Sequence, residues 1–175
     1  MKKMLIILLA LSVIFPGATQ SNFRVNEIKA SEKRVALIIG NGNYEESPLK
    51  NPVNDARDMA QVLRRLNFEV MLKENLTQND MKRAIRDFGA QIRNVGIALF
   101  YYAGHGAQVK GQNYLIPLKA IINSEEEVEF ESVDLGYVLA QMENAKSRTN
   151  LAILDACRNN PFIENHQSSL TRRPA

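Results

Sequence analysis

The chain has 175 residues, 45% hydrophobic and 23% charged, with a formal net charge of +3. This balance fits one domain with a core of its own, and without a basic stripe interleaved with aromatics it excludes a nucleic-acid binder. One cysteine forms no intramolecular disulfide and, with only two histidines, is too few for a zinc site, so no metal ligand is assigned.

Lys2 and Lys3, the apolar run Met4 to Phe15 and Pro16-Gly17-Ala18 read as a secretory signal over residues 1–20. The run is shorter than the roughly 20 apolar residues of a membrane span. Pro16 makes a poor cleavage site, so the expectation is export, periplasmic or secreted, or tethering by an uncleaved signal anchor. No cysteine near residue 20 is available for lipidation. Residues 21–33 are polar and read as a linker, and a domain is expected over 34–163.

From Arg34 onward strands and helices alternate. Val35-Ala-Leu-Ile-Ile39 is a short continuous apolar run, the pattern of a strand buried on both faces. Asn51-Pro52 starts a helix with Ala56, Met59, Ala60, Leu63 and Leu66 on one side. Phe68 to Leu72 is a second strand. Thr77-Gln-Asn-Asp80 resembles a capping box ahead of a helix that presents Met81, Ile85, Phe88 and Ile92. Ile97 to Tyr102 is a third strand, and residues 108 to 118 suit a hairpin turning at Lys110-Gly111. The acidic run Ser124 to Glu131 reads as a solvated loop. Leu135, Val138, Leu139 and Met142 mark a third helix, and Leu151 to Leu154 a fourth strand. The sum is an α/β fold, a mostly parallel sheet with helices on both faces.

Two strands lead directly into chemistry. Ile97 to Tyr102 runs into Tyr102-Ala-Gly-His105-Gly106, and Leu151 to Leu154 into Asp155-Ala-Cys157. Parallel sheets present functional groups at the carboxyl ends of their strands, so His105 and Cys157 are expected to meet there. A thiol becomes a useful nucleophile at neutral pH beside a base such as imidazole.

Four segments then carry a resemblance: Ala-Leu-Ile-Ile-Gly-Asn (36–41), Leu-Lys-Asn-Pro-Val-Asn-Asp-Ala (49–56), Tyr-Tyr-Ala-Gly-His-Gly (101–106) and Leu-Asp-Ala-Cys-Arg-Asn-Asn-Pro-Phe (154–162). With His105 about 50 residues before Cys157, the chain resembles the caspase-like cysteine peptidases of clan CD, most closely bacterial members related to metacaspases. The resemblance implies a caspase-like three-layer sandwich with a small hairpin after His105. It implies Cys157 as nucleophile, His105 as general base, and the main-chain N–H groups of Gly106 and Cys157 as the oxyanion hole. It also implies an acidic substrate pocket from Asp55 and Asp155, which would favour protein or peptide substrates cut after Arg or Lys. No cofactor is implied. Some metacaspases need calcium, and the carboxylates of 124–131 leave that activation open, although the run lacks the spacing of a defined calcium loop.

Several residues also have plainer readings. Asp55 suits the first turn of its helix by charge alone. His166 reads as an exposed bystander, and Tyr101 and Tyr102 as strand packing. Gly40-Asn-Gly42 hints at a phosphate loop, but Glu45 stands where a dinucleotide fingerprint has its third glycine. Ala103 departs from the serine common in the family two residues before the histidine. The family's catalytic unit continues beyond the cysteine, whereas residues 164–175 read as a polar tail. The 175-residue chain is therefore expected to be weakly active or inactive by itself. Its fourth strand is expected to have an open edge, suited to self-association or to pairing with the family's smaller segment. The alternative to a cysteine endopeptidase is a catalytically silent caspase-like interaction module.

Overall fold

A computed structural model describes residues 33–156. The expected signal, residues 21–32 of the linker, Cys157, the end of the expected domain and the tail with His166 lie outside the described residues. In chain order the first elements are β1 (Arg34–Gly40), α1 (Pro52–Arg65), β2 (Phe68–Glu74), α2 (Gln78–Gln91) and β3 (Ile97–Ala103). They are followed by β4 (Gly106–Val109), β5 (Gln112–Leu115), α3 (Glu125–Glu131), β6 (Val133–Asp134), α4 (Leu135–Asn144) and β7 (Thr149–Asp155).

β1 is apolar along its length because helices cover both of its faces, and Val35 to Ile39 are fully buried. It lies inside a four-stranded parallel sheet ordered β2-β1-β3-β7. Alternate side chains feed two cores. Ala36, Ile38, Leu99, Tyr101 and Ala103 pack with Ala56, Ala60 and Leu63 of α1. Leu37, Ile39, Phe100 and Tyr102 pack with Met81, Ile85 and Phe88 of α2 and Val138 and Met142 of α4. The layers are thus α1, sheet, and α2 with α4, the three-layer α/β sandwich expected from sequence.

Helix starts follow the expected chemistry in part: Asn51, expected as an N-cap, holds that position but its side chain makes no capping hydrogen bond. Pro52 occupies the first turn of α1 after Asn51, and the Thr77 hydroxyl caps α2 by accepting from the Asp80 N–H. Leu66, expected on the buried face of α1, instead lies just past its end and is half exposed.

A second, antiparallel sheet is ordered β4-β5-β6. Its hairpin starts directly after His105 and turns at Lys110 and Gly111, with φ of 50° and 82°. Two positive φ values give a tight turn whose twist matches the strands. The acidic run differs from its sequence reading: Ser124 precedes a seven-residue helix, α3, rather than a solvated loop. Glutamate tolerates helix well, and Val128 gains a buried site beside Val109, Tyr114 and Ile122. Among the described residues, no group of three or more His, Cys, Asp or Glu side chains gathers as a metal site.

The strand ends are in register. Gly40 pairs with Glu74 and Ala103, and Ala103 with Asp155, so β2, β1, β3 and β7 finish on one row. α1, which follows β1, and α4, in the connection that follows β3, lie on opposite faces, which makes the boundary between β1 and β3 a topological switch point, the usual place for a binding crevice. Among the described residues β7 is hydrogen-bonded only to β3, and its Leu151, Ile153 and Leu154 are 44%, 41% and 39% exposed.

Gly40 lets α1 approach this row. A Cβ there would lie 2.5 Å from the Pro52 carbonyl oxygen and 2.7 Å from Ala56 Cβ. Gly40→Ala is expected to destabilise the domain by about 1–3 kcal/mol, the usual cost of overpacking. Urea unfolding checks this through a lowered midpoint.

Candidate active site

His105 follows β3 by two residues, and its main chain is held on both sides. Its N–H donates to Tyr44 Oη at 3.1 Å, while its carbonyl accepts from Tyr102 Oη at 2.7 Å and from the Ile116 N–H at 3.0 Å. Gly104 makes this possible, since a Cβ there would meet Tyr102 Oη at 2.7 Å and Tyr44 Oη at 2.8 Å. The glycine therefore serves close approach of two phenols as well as the turn.

The ring is held too. Nε2 lies 2.7 Å from the Ser47 carbonyl oxygen, and the Tyr44 ring sits 4.4 Å away, tilted by 53°. A carbonyl only accepts, so the proton is assigned to Nε2 and Nδ1 becomes the proton-accepting nitrogen.

His105, Asp55 and Asp155 line one cleft of about 520 Å³, with Ala103, Gly104 and Ala156 between them. Ala156 immediately precedes Cys157 in the sequence. Asp55 stands in the first turn of α1 and also faces the cleft, so its helix-end and pocket readings are compatible. Asp155 is exposed at the end of β7 and accepts from Tyr101 Oη at 3.4 Å. Tyr101 thus does more than pack: its body lies in the α1 core and its hydroxyl reaches the acidic pair. Burial first, then the charges of Asp155 and Asp55, push its pKa up to about 12.

Gly106 opens β4 opposite Leu115. The bond from the Ile116 N–H to the His105 carbonyl makes those two a hydrogen-bonded pair. Antiparallel ladders alternate, so the Gly106 N–H turns away from β5. Gly106 lines a second hollow of about 210 Å³ that shares Leu154 and Ala156 with the first.

The segment Gly40 to Gly42 does not cradle phosphate. The Asn41 N–H donates to the Ala103 carbonyl at 2.9 Å, and the Gly42 and Asn43 N–H groups to Asn75 Oδ1 at 3.0 and 3.1 Å. Tyr44 and Ser47 carry no sequence signal of their role beyond their place just after a parallel strand's carboxyl end, and sequence reasoning missed both.

The sequence matches the family model described as Caspase domain over residues 33–174. The chain belongs to the caspase-domain family. It is 33% identical over 129 residues to Mucosa-associated lymphoid tissue lymphoma translocation protein 1 of Homo sapiens, covering 73% of this chain and 15% of that protein. It is 28% identical over 138 residues to Caspase-1 of Sus scrofa, covering 74% and 32% respectively. A shorter match to Caspase a of Danio rerio is 31% identical over 71 residues, 39% of this chain and 18% of the other. The chain therefore spans only a fraction of the length of these relatives. The caspase domain is of the clan CD cysteine-peptidase kind, as the sequence motifs implied.

The buried phenols of this caspase domain make its stability depend on alkaline pH. Burial is the leading cause that raises Tyr44, Tyr101 and Tyr102 above the ordinary tyrosine value. Between about pH 10, where an unfolded chain releases these protons, and pH 12, the folded state binds more protons than the unfolded one. The contribution is thus fully present below pH 10 and is lost as pH rises towards Tyr101's value of about 12. Denaturant midpoints are expected to fall across this window, and less steeply in Tyr101→Phe.

Proposed function

We propose that this caspase domain is a cysteine endopeptidase that cuts after Arg or Lys, with Cys157 as nucleophile and His105 as general base. The observation that carries the reading is the single cleft lined by His105, Asp55, Asp155 and Ala156, the residue before the only cysteine. A Lys or Arg side chain entering it would meet two carboxylates, one already oriented by Tyr101.

In this mechanism His105 Nδ1 takes the proton from Cys157 Sγ, and the thiolate attacks the scissile carbonyl carbon. Negative charge moves to the carbonyl oxygen, where the N–H groups of Gly106 and Cys157 stabilise it. The imidazolium then protonates the leaving amine as the C–N bond breaks, leaving a thioester. His105 next deprotonates a water molecule that attacks the thioester. The carboxylic product departs and the thiol is restored.

In the full chain, or in a longer chain that contains it, Cys157→Ala and His105→Ala are each expected to abolish turnover of Arg- and Lys-ending fluorogenic peptides. Undiminished cleavage by Cys157→Ala would refute the nucleophile assignment. Asp155→Ala should lower kcat/KM for these peptides by about 10- to 100-fold, the worth of one charge-assisted hydrogen bond. A preference for Asp-ending peptides would refute the acidic pocket.

A further inference from the structure

We propose that Tyr44 is a positioning residue for His105, fixing both the direction of the imidazole and the nitrogen that accepts the proton. The proposal rests on the reading of His105 as the base. Tyr44 is 5% exposed and Tyr102 fully buried, so their hydroxyl protons must be used internally. Tyr44 Oη accepts the His105 N–H and donates to the Ile116 carbonyl at 2.9 Å. Tyr102 Oη lies 2.7 Å from the His105 carbonyl and 2.8 Å from that of Ile116. The Ile116 carbonyl has room for both phenols, and the two hydroxyls are themselves 3.3 Å apart, so Tyr44 and Tyr102 form one buried cluster that reaches both ends of the His105 peptide frame.

The same side chain also acts on the ring. Tyr44 packs 4.4 Å from the imidazole, and Ser47, three residues further along its loop, holds Nε2. Tyr44 therefore restrains His105 at its main-chain N–H and at its ring, and Ser47 of the same loop restrains Nε2. Removing only Oη leaves the His105 N–H buried without that acceptor. It also removes the hydroxyl that lies 3.3 Å from Tyr102 Oη and 2.9 Å from the Ile116 carbonyl. Because Tyr44 Oη accepts the His105 N–H, Tyr44→Phe should cost more than Tyr102→Phe, after which Tyr44 still holds the N–H and the Ile116 N–H still holds the His105 carbonyl.

The test uses the composition of the chain. His105 and His166 are its only histidines and Cys157 its only cysteine. In full-length His166→Ala protein, nitrogen NMR reads one imidazole, and alkylation reads one thiol. The expected signature is a fixed Nε2–H tautomer, with a Cys157 alkylation inflection below the ordinary thiol value of about 8.5 that His105→Ala removes. Adding Tyr44→Phe should give mixed tautomers and move the inflection towards the ordinary value. Adding Tyr102→Phe should leave the tautomer fixed. Where turnover is measurable, Tyr44→Phe should lower kcat by roughly 10- to 100-fold with KM little changed, the effect of a small misplacement at the reacting centre. An unchanged tautomer and inflection in folded Tyr44→Phe would overturn the proposal and leave the Cys157–His105 pair standing. An ordinary inflection that is insensitive to His105→Ala would instead remove the pair, and the proposal with it. If Tyr44→Phe does not fold, cross-relaxation between the Tyr44 and His105 rings in the single-histidine chain decides the question, and its absence would overturn the assignment.

Discussion

The parallel register ties this domain's packing to its chemistry. Gly40, Ala103 and Asp155 lie on one row across β1, β3 and β7. Beyond that row Gly104, His105 and Ala156 line one cleft, and the loop of Tyr44 and Ser47 holds His105 in it. A slip of one residue in a strand would turn its side chains to the opposite face. The continuous apolar strands would tolerate such a slip in hydrophobicity alone, because both faces are covered. Small residues at fixed places resist it, since only Gly40 accepts α1 and only Gly104 accepts the two phenols.

Neighbouring tyrosines on β3 divide the work by the alternation of a strand. Tyr101 points towards α1, on the side of Ala103, and places its hydroxyl on Asp155. Tyr102 points towards α2 and α4 and places its hydroxyl on the His105 carbonyl. One residue therefore serves the acidic cleft and the next the imidazole. Each rigid ring anchors in a core, so its polar end is held at little cost in side-chain freedom.

Much of this was legible in the sequence because its causes are local. The apolar runs, Asn51-Pro52, Thr77 and Lys110-Gly111 announced strands, helix starts and a hairpin, and His105 and Cys157 stood directly after two of the strands. α3 was not legible, because its helix depends on a burial site for Val128 created by Val109, Tyr114 and Ile122. Ser47 was not legible either, since it acts through a main-chain carbonyl that any residue carries. Tyr44 was not legible because the fold alone brings Ile116, 72 residues later, to its hydroxyl. The Asp155 pocket reading rested on motif, and the Tyr101 hydroxyl that supports it depended on strand register.

The two tyrosine arrangements also differ in how they respond to charge. Among the described residues, the phenols, carbonyl and main-chain N–H that hydrogen-bond His105 are uncharged, and set so deep that ionising Tyr102 is strongly disfavoured. Under the proposed function these would be fixed dipoles that need not reorganise as the imidazole gains and loses a proton. Tyr101 instead faces the Asp155 and Asp55 carboxylates, and their charges add to burial in keeping it protonated. A cation entering the cleft would weaken those repulsions by pairing with Asp55 and Asp155, while Tyr101 could keep donating. Under the proposed function, neutral scaffolding beneath His105 and concentrated negative charge beside it would separate proton handling from recognition. A change in the acidic pair should therefore be felt first in which side chain is accepted, and a change in the neutral phenol clamp first in how well the imidazole is aimed.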